Sequence, residues 1–392
     1  ARTPWRRLRP ATPAPMTTTP GASTDPPCRG AWSVRPRHDE AMTALVQDLE
    51  ALTGPVLRAP RHGTEAAARG LERAWRAGNL VRLAPSTFCR SDLWRTMPVW
   101  DRHRLTAVAV QASRAGRVVF TGLTAAHLHG LPVATLPADL EIRAGRPGHR
   151  GRRPTSSCFV AGAGRGPANG LPRPPGLRCR TRGSWTAVAP PIREQVRVSD
   201  GSSVGTVWVE AEETVIRSVA DQQALGEALA VLDAWAARET GGPERVAAVA
   251  AQAVQDAPSA AARRRLARAF GHAEPSSESA GESLSRGILL DAGFRRPQVQ
   301  REHRDADGLF IGRTDFWWEE VRVAGEFDGI TKYDVALHPD ETARRRAIRQ
   351  EKEREIALLR VVDGLPRWTW EDLRHPHRLV RLLEQHGVPR QS

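Results

Sequence analysis

The stretch from residue 313 to residue 333, RTDFWWEEVRVAGEFDGITKY, constrains this chain most, because carboxylates interrupt runs that favour β-strands. Asp315 is followed by a run of aromatic residues. After two glutamates, a second apolar run carries Glu326 and is followed by Asp328. Aromatic and β-branched residues are enriched in strands, whereas acidic residues are depleted. The pattern predicts two adjacent strands paired like a hairpin.

The three acids are expected to lie close together. Side chains two apart on a strand share a face, so Glu326 and Asp328 point the same way, and an antiparallel partner strand can bring Asp315 beside them. Such acids repel one another and lose hydration unless a cation lies between them. Oxygen ligands suit hard divalent ions, so the pattern predicts Mg²⁺ or Mn²⁺ at a site that can bind phosphate.

The two lysines lie near these acids. Of 58 basic side chains, only Lys332 and Lys352 are lysine, and the remainder are arginine. A lysine in a chain that otherwise uses arginine indicates a need for a compact ammonium group, as at a metal-activated water or a scissile phosphate. The alternative is that both lysines are there by chance.

Composition limits the partners and the compartment. The chain has 392 residues, a formal net charge of +14 and 40% hydrophobic residues, with no apolar run near membrane-spanning length. The charge predicts a polyanion as partner, with nucleic acid ahead of a membrane surface. The four cysteines show no C-x-x-C spacing, which argues against a zinc ribbon or a disulfide framework and fits a cytoplasmic location.

Residues 1–41 are predicted to be disordered, since they are rich in Pro, Thr and Arg without periodicity. Arg6 and Arg7 could indicate an export signal, but no apolar segment follows them. We expect Met42 to be the native start and the preceding residues to be upstream sequence translated in frame.

Residues 42–95 have the pattern of a winged helix-turn-helix. Two helical pieces precede a strongly predicted helix, EAAARGLERAWRAG, which ends at Gly78. Two short strands come after this helix. Arg69, Arg73 and Arg76 lie on one face of this helix, opposite its apolar stripe. In such a module the third helix enters the major groove and the wing, here with Arg82, contacts phosphate. The alternative is that the arginines form an ordinary solvated face.

A resemblance to a known family appears at the segment TAAHLHGLP. Together with the preceding wing and helix, it resembles the N-terminal half of AbiEi-type antitoxin-like proteins over residues 45–133. The resemblance implies a winged helix that binds promoter DNA. His127 and His129 lie about 200° apart around a helix, so they cannot chelate one ion together, and structural roles are expected for both.

Residues 96–270 are expected to form a central α+β region. Residues 143–182 contain ten arginines, no acids and many Gly and Pro, so we predict an Arg/Gly/Pro-rich loop that either contacts DNA phosphates or does little. Helices are predicted over residues 212–238 and 244–270, and residues 271–277 are the expected linker.

Residues 278–392 are predicted to contain a helix, three strands, a helix, a strand and a helix. With Glu282 on the first helix, Asp315 on one strand and Glu326 on the next, this order resembles the PD-(D/E)xK nuclease fold, in the branch similar to Vsr endonucleases. The resemblance implies a restriction-endonuclease-like α/β domain in an α+β multidomain chain. It also implies that Glu282, Asp315, Glu326 and Asp328 bind Mg²⁺, which activates water for phosphodiester hydrolysis.

The sequence departs from this family at one position. The catalytic lysine of the family normally lies two residues after the strand glutamate, where this chain has Asp328. Lys332-Tyr333 and Glu351-Lys352 match pairs found in related proteins. Either lysine could therefore reach the site beside Glu326 as a catalytic group, or Asp328 could be a third metal ligand, or the site has decayed. Glu282 could also be no more than part of a capping box with Ser279, with Arg286 one turn away.

Three functions follow from these patterns. The first is a Mg²⁺-dependent DNA endonuclease that a winged helix directs to its target. The second is an AbiEi-like transcriptional regulator or antitoxin in which the nuclease fold is not catalytic. The third is a protein that binds a cognate toxin or a phage-defence protein.

Overall fold

The computed structural model describes residues 57–58, 65–114, 118–143, 151–153, 171–180, 189–329 and 341–391. The segment 1–41, the expected start at Met42 and Lys332 with Tyr333 lie outside these residues. The described residues form three β-sheets and twelve helices, in agreement with the predicted α+β class.

The first sheet contains the predicted hairpin. Strand β1 (Leu57–Arg58) precedes helix α1 (Glu65–Arg76), and β2 (Leu80–Ala84) and β3 (Thr87–Arg90) follow it. The strand order is β1–β3–β2, and both pairings are antiparallel. Gly78 follows the helix at a φ of +84°, in a region that favours glycine. The predicted helix and the two strands after it are therefore confirmed, whereas β1 lies where the second of the two preceding helical pieces was predicted, so that prediction was wrong.

A six-stranded sheet forms the centre of the described chain. Its strands are β4 (Val119–Phe120), β5 (Asp139–Arg143), β6 (Gly151–Arg153), β7 (Gly176–Arg180), β8 (Ile192–Arg197) and β9 (Ser203–Val209). They are arranged in the order β6–β7–β5–β4–β9–β8. The helices before and within this region are α2 (Ser91–Thr96), α3 (Val99–Ser113) and α4 (Gly122–Leu128). Helix α3 packs against β9, and α4 packs against β5.

Two of these strands lie inside residues 143–182, which we predicted to be a loop. Strands β6 and β7 pair with each other, and β7 also pairs in parallel with β5. In β7, Leu177 and Cys179 are buried and Arg178 between them is exposed. This alternation is typical of a strand, but it is short and lies among arginines, glycines and prolines, which are typical of loops. The prediction of a loop over the whole stretch was wrong.

Four helices follow the central sheet, as the apolar periodicity predicted. They are α5 (Glu212–Gln222), α6 (Leu225–Arg238), α7 (Gly242–Gln255) and α8 (Ala260–Gly271). Ten residues of α6 are buried, so this helix lies within the core. Among the described residues, no helix is both long enough and apolar enough to span a bilayer.

The C-terminal elements follow the predicted order, with one short α-helix added before the last and a 3-10 turn, Glu319–Val321, between the second and third strands. They are α9 (Ala280–Asp291), β10 (Gln298–Arg304), β11 (Phe310–Trp318), β12 (Val323–Asp328), α10 (Glu341–Leu358), β13 (Arg367–Thr369), α11 (Trp370–Arg374) and α12 (Pro376–Gln385). Their sheet has the order β10–β11–β12–β13. The first three strands are antiparallel, and β13 pairs in parallel with β12.

Helix α9 contributes to two apolar cores. Leu290 packs into the larger core, which contains the central sheet, whereas Leu289 packs with Phe316 in the smaller C-terminal core. Helix α9 crosses α6 so closely that a Cβ on Gly287 would lie 2.2 Å from the Cα of Gly226. A side chain at this crossing would meet backbone atoms, which cannot move aside as a flexible side chain could.

A buried ion pair lies at the same crossing. The Arg286 guanidinium donates to a carboxylate oxygen of Asp233, and both side chains are almost fully buried. Arg286 also donates to the His272 carbonyl at 2.6 Å, and Asp233 accepts the Glu274 N–H at 2.7 Å. The segment that we expected to be a linker, 271–277, is therefore bonded to both helices.

Replacing Gly287 with alanine is expected to lower the free energy of unfolding by about 1–3 kcal/mol, the usual cost of overpacking. Gly271→Ala is the matched control, because nothing lies within 4 Å of an added Cβ there. Alanine also favours the helix, so this control is expected to be neutral or stabilising. Denaturant unfolding followed by circular dichroism measures both variants. Equal stabilities would contradict the close crossing of α6 and α9.

Candidate functional site

The candidate site begins where strands β11 and β12 separate. Their pairing ends at Phe316 and Gly325, so Asp315 is the first residue of β11 beyond it. The Asp315 side chain takes the place of a backbone acceptor, because its Oδ2 accepts the Phe327 N–H at 2.8 Å. Asp315, which was predicted to lie beside Glu326, is therefore hydrogen-bonded to the backbone of β12.

Strand β13 brings an arginine to the two acids of β12. Arg367 lies opposite Glu326 in the parallel register. Its Nη1 lies 2.9 Å from Glu326 Oε2, and its Nε and Nη2 each donate to Asp328 at 2.8 Å. A single guanidinium contacts both acids, which agrees with the prediction that Glu326 and Asp328 point the same way.

Helix α10 adds a second arginine and a third acid. Arg354 Nη1 lies 2.9 Å from Glu326 Oε1, while Arg354 Nη2 donates to Glu351 at 2.7 Å. Glu351 also accepts from Arg367 at 3.2 Å. We call these five residues, Glu326, Asp328, Glu351, Arg354 and Arg367, the acid–arginine network. It contains three carboxylates and two guanidinium groups.

The ionisation of the network follows from these contacts. The hydrogen bond from Arg354 lowers the pKa of Glu351, against the opposing effect of burial, and Arg367 lowers it further. The hydrogen bond to Glu351 raises the pKa of Arg354, and the hydrogen bond to Asp328 raises the pKa of Arg367. The guanidinium groups therefore remain charged. Only 3% of the Glu326 side chain is exposed, so it depends on their charge for compensation.

Glu282 lies at the start of α9 and is bonded to the sheet. Its carboxylate accepts from the Ser279 hydroxyl at 2.7 Å, from the Glu278 N–H at 2.9 Å and from the Gln300 side-chain amide at 2.9 Å. Gln300 lies in β10 opposite Asp315, between two paired positions, and has a φ of +54°. The Ser279 hydroxyl caps the helix by accepting the Glu282 N–H, as the capping alternative predicted.

Close packing holds the start of α9 against β12. A Cβ on Gly281 would lie 2.0 Å from the Phe327 ring, so glycine is needed for this approach. Arg286, which we considered as a neighbour of Glu282, pairs instead with Asp233. Glu282 is therefore connected to the separating strands through Gln300 and is not neutralised by an arginine on its own helix.

Only one of the two lysines, Lys352, belongs to the described residues, and it makes no contact with the acids of the network there. Lys332 lies outside the described residues. Lys352 is exposed, and its neighbour Glu351 faces the network. We predicted a catalytic role for Lys352 beside Glu326, but among the described residues the cations that contact Glu326 are Arg354 and Arg367.

The acids do not fit a divalent ion in this arrangement. Within the described ranges, no group of three or more His, Cys, Asp or Glu side chains could hold a metal ion. Both oxygens of Glu326 and both oxygens of Asp328 contact guanidinium groups. The acids do have the cationic partner that their crowding required, but that partner is arginine. Mg²⁺ or Mn²⁺ at this position stays a prediction, and it requires the arginines to leave.

The predicted DNA-binding arginines lie on and after helix α1. Arg69, Arg73 and Arg76 are exposed, while the apolar side of the helix is buried. Arg76 pairs with Glu72 at 3.5 Å, yet 71% of its side chain remains exposed. The Arg82 guanidinium lies over the aromatic rings of Trp75 and Phe88, so it is less available to phosphate than the three helix arginines.

The histidines have structural partners. His129 contacts Glu194 at 3.2 Å and the Glu210 carbonyl at 2.8 Å through its two ring nitrogens. His127 contacts the Trp100 carbonyl at 3.2 Å and packs edge-on against His103. Burial lowers the pKa of His103 to about 3 and that of His127 to about 4. The expectation that His127 and His129 have structural roles agrees with these contacts.

A buried polar group in the central sheet was not identified from the sequence. Glu210 accepts from Arg143 at 2.7 Å and from the Thr121 hydroxyl at 2.5 Å. Nearby, the Glu141 carboxylate accepts the Leu123 N–H at 2.8 Å and so caps helix α4. These contacts join strand ends that are far apart in the chain, and no local pattern predicts them.

No protein-family model matches this sequence, and no curated protein matches it closely enough to indicate a relationship.

Manganese binding tests whether the arginines close the acidic site. In the wild-type protein, excess Mn²⁺ is expected to leave Tm nearly unchanged. Arg354→Met with Arg367→Met removes the guanidinium partners of Glu326, so Mn²⁺ should then raise Tm. At a free Mn²⁺ concentration of 100 times its Kd, binding would raise the free energy of unfolding by about 2.7 kcal/mol. Adding Glu326→Gln to this double variant is the control and should remove the response. If Mn²⁺ raises the Tm of the wild-type protein and Glu326→Gln abolishes this rise, the conclusion that the arginines keep metal ions away from Glu326 is contradicted.

Acid titration tests the buried histidines. The unfolded chain takes up protons at the ordinary histidine pKa of about 6.5, whereas folded His103 resists protonation. Its contribution to stability is therefore present above that pH and is lost as the pH falls towards its folded pKa. His103→Gln should reduce the loss of stability between pH 7 and pH 5 by about 2 kcal/mol. His377→Gln, at an exposed position, is the control. Identical pH profiles for wild type and His103→Gln would refute this assignment.

Proposed function

We propose that this chain is a DNA-binding protein in which helix α1 contacts the duplex and the β2–β3 hairpin acts as a wing. The observation that carries the proposal is the exposed row of Arg69, Arg73 and Arg76 on a helix that leads directly into the hairpin. The order β1–β3–β2 adds a third strand to the wing. Exposed arginines on such a module neutralise backbone phosphates and fix the position of the helix on DNA.

The acid–arginine network supports a regulator that does not cleave DNA. Catalysis of the predicted kind needs free carboxylate oxygens for a divalent ion. Here the oxygens of Glu326 contact Arg354 and Arg367, and those of Asp328 contact Arg367. The proposed function is therefore that of an AbiEi-like transcriptional regulator or antitoxin that acts on DNA in the cytoplasm, with a C-terminal domain of nuclease-like fold that is not catalytic. A cognate toxin or defence protein stays a prediction of that resemblance.

A metal-dependent endonuclease is the second candidate, and one observation favours it. Glu282 accepts from Gln300, which lies opposite Asp315 in the β10–β11 pairing, and Asp315 accepts the N–H of Phe327, the residue after Glu326. A domain that only stabilises bound DNA has no need for carboxylates at this place. In this candidate, Arg354 and Arg367 would have to move away from the acids before an ion could bind.

A cleavage assay separates the two candidates. Purified protein is incubated with supercoiled and linear DNA in Mg²⁺ or Mn²⁺, and binding to the DNA upstream of its own gene is measured in parallel. We expect binding without cleavage. Cleavage that Asp315→Ala and Glu326→Ala both abolish would establish the endonuclease and overturn the regulator.

The role of helix α1 is tested by replacing Arg69, Arg73 and Arg76 with glutamine together. If each arginine neutralises one phosphate, the slope of log K against log salt concentration should become less negative by about 2–3 in this variant. Fluorescence anisotropy with a labelled duplex at several salt concentrations measures the slope. The control replaces Arg295, Arg304 and Arg374 with glutamine, since these exposed arginines belong to the C-terminal elements and not to α1 or the hairpin. This control makes the same change in net charge. Equal slopes for the two triple variants would refute the placement of DNA on α1.

A further inference from the structure

Helix α10 carries a row of cations that have no partners among the described residues. Arg346, Arg349 and Lys352 are exposed, and none of them forms an ion pair or a side-chain hydrogen bond within the described part of the chain. Residues three apart on a helix lie about 60° from each other around the axis and about 4.5 Å apart along it. The three side chains therefore form one row, which we call the outer row.

Most other exposed arginines of the C-terminal elements are paired, although Arg301, Arg360 and Arg381 are exposed and form no ion pair with the described residues. Arg295 lies 2.7 Å from Glu320, Arg304 lies 3.2 Å from Glu302, and Arg374 lies 3.3 Å from Glu371. A carboxylate partner is therefore the more frequent arrangement for an exposed arginine in this part of the chain. The outer row differs, since the exposed Glu353 next to it makes no ion pair with any of its members.

The acid–arginine network explains why the outer row keeps its positive charge. Glu351 and Arg354 lie on the side of α10 that faces the sheet, where they bond to each other and to residues of β12 and β13. The carboxylate of Glu351 is therefore neutralised by guanidinium groups on the inner side, which leaves Glu353 and Glu355 as the other described carboxylates of the helix. Glu351 therefore cancels little of the positive charge of the outer row, and its contacts fix which face of α10 is turned to solvent.

We propose that the outer row binds backbone phosphates of duplex DNA and forms a second contact surface in addition to helix α1. Guanidinium and ammonium groups are the usual phosphate partners in proteins, and their binding releases condensed counterions. Phosphate contacts carry no sequence information, so the outer row strengthens binding equally on all sequences. This inference rests on the proposed DNA binding and extends it to the C-terminal domain.

The test replaces Arg346, Arg349 and Lys352 with glutamine together in the full chain. Binding of a labelled duplex is measured by fluorescence anisotropy at several salt concentrations, on one specific and one unrelated sequence. We expect the slope of log K against log salt concentration to become less negative by about 2–3 on both sequences. The Arg295, Arg304 and Arg374 triple variant is the control, because it removes the same net charge from paired positions. Its slope should stay close to that of the wild type. Circular dichroism and Tm confirm that both variants are folded.

Each outcome decides the proposal. A larger change in slope for the outer-row variant than for the control supports it, and equal slopes overturn it. If the α1 variant loses affinity while the outer-row variant behaves as the control does, DNA binding stands and the second surface is refuted. If the wild-type protein binds no duplex, the proposed function itself fails, and the inference fails with it.

Discussion

Glu326 lies between two guanidinium groups, and the C-terminal sheet and helix α10 are arranged around that contact. Strand β12 supplies the carboxylate, β13 supplies Arg367 and α10 supplies Arg354. A buried carboxylate is costly without compensating charge, and removing one partner of such a group typically costs about 3–5 kcal/mol. Because each cation comes from a different element, the contact holds a strand and a helix in fixed positions beside β12. Few apolar residues of α10 are buried among those described, so ion pairs contribute much of its packing.

The same site is joined to the central core through helix α9. The N-terminal end of α9 places Gly281 against Phe327 and Glu282 beside Gln300. Its middle crosses α6 at Gly287, and its last turn enters the larger core at Leu290. A rotation of this helix would therefore disturb both the separating strands and the central core. Glycine at the close approaches and the buried ion pair at the crossing restrict such movement.

Much of the architecture was predictable from local patterns, but the partners of the acids were not. The alternation around Asp315, Glu326 and Asp328 predicted adjacent strands and a common side for the last two residues, because strand periodicity is local. It also predicted a cation, since crowded carboxylates need one. Arg367 could not be identified because it reaches the acids only through the parallel pairing of β13 with β12. The crossing at Gly287 depends likewise on residues that are distant in the chain.

The guanidinium groups of Arg354 and Arg367 supply the counter-charge of Glu326 in this structure, at the place where a metal ion was predicted. A crystal of the unliganded protein soaked in Mn²⁺ and measured at the manganese absorption edge tests this most directly. We predict no anomalous peak between Asp315 and Glu326, with the guanidinium groups of Arg354 and Arg367 still within hydrogen-bond distance of Glu326. A manganese peak coordinated by these two acids, with the arginines turned away, would contradict the account and restore the endonuclease as the leading function.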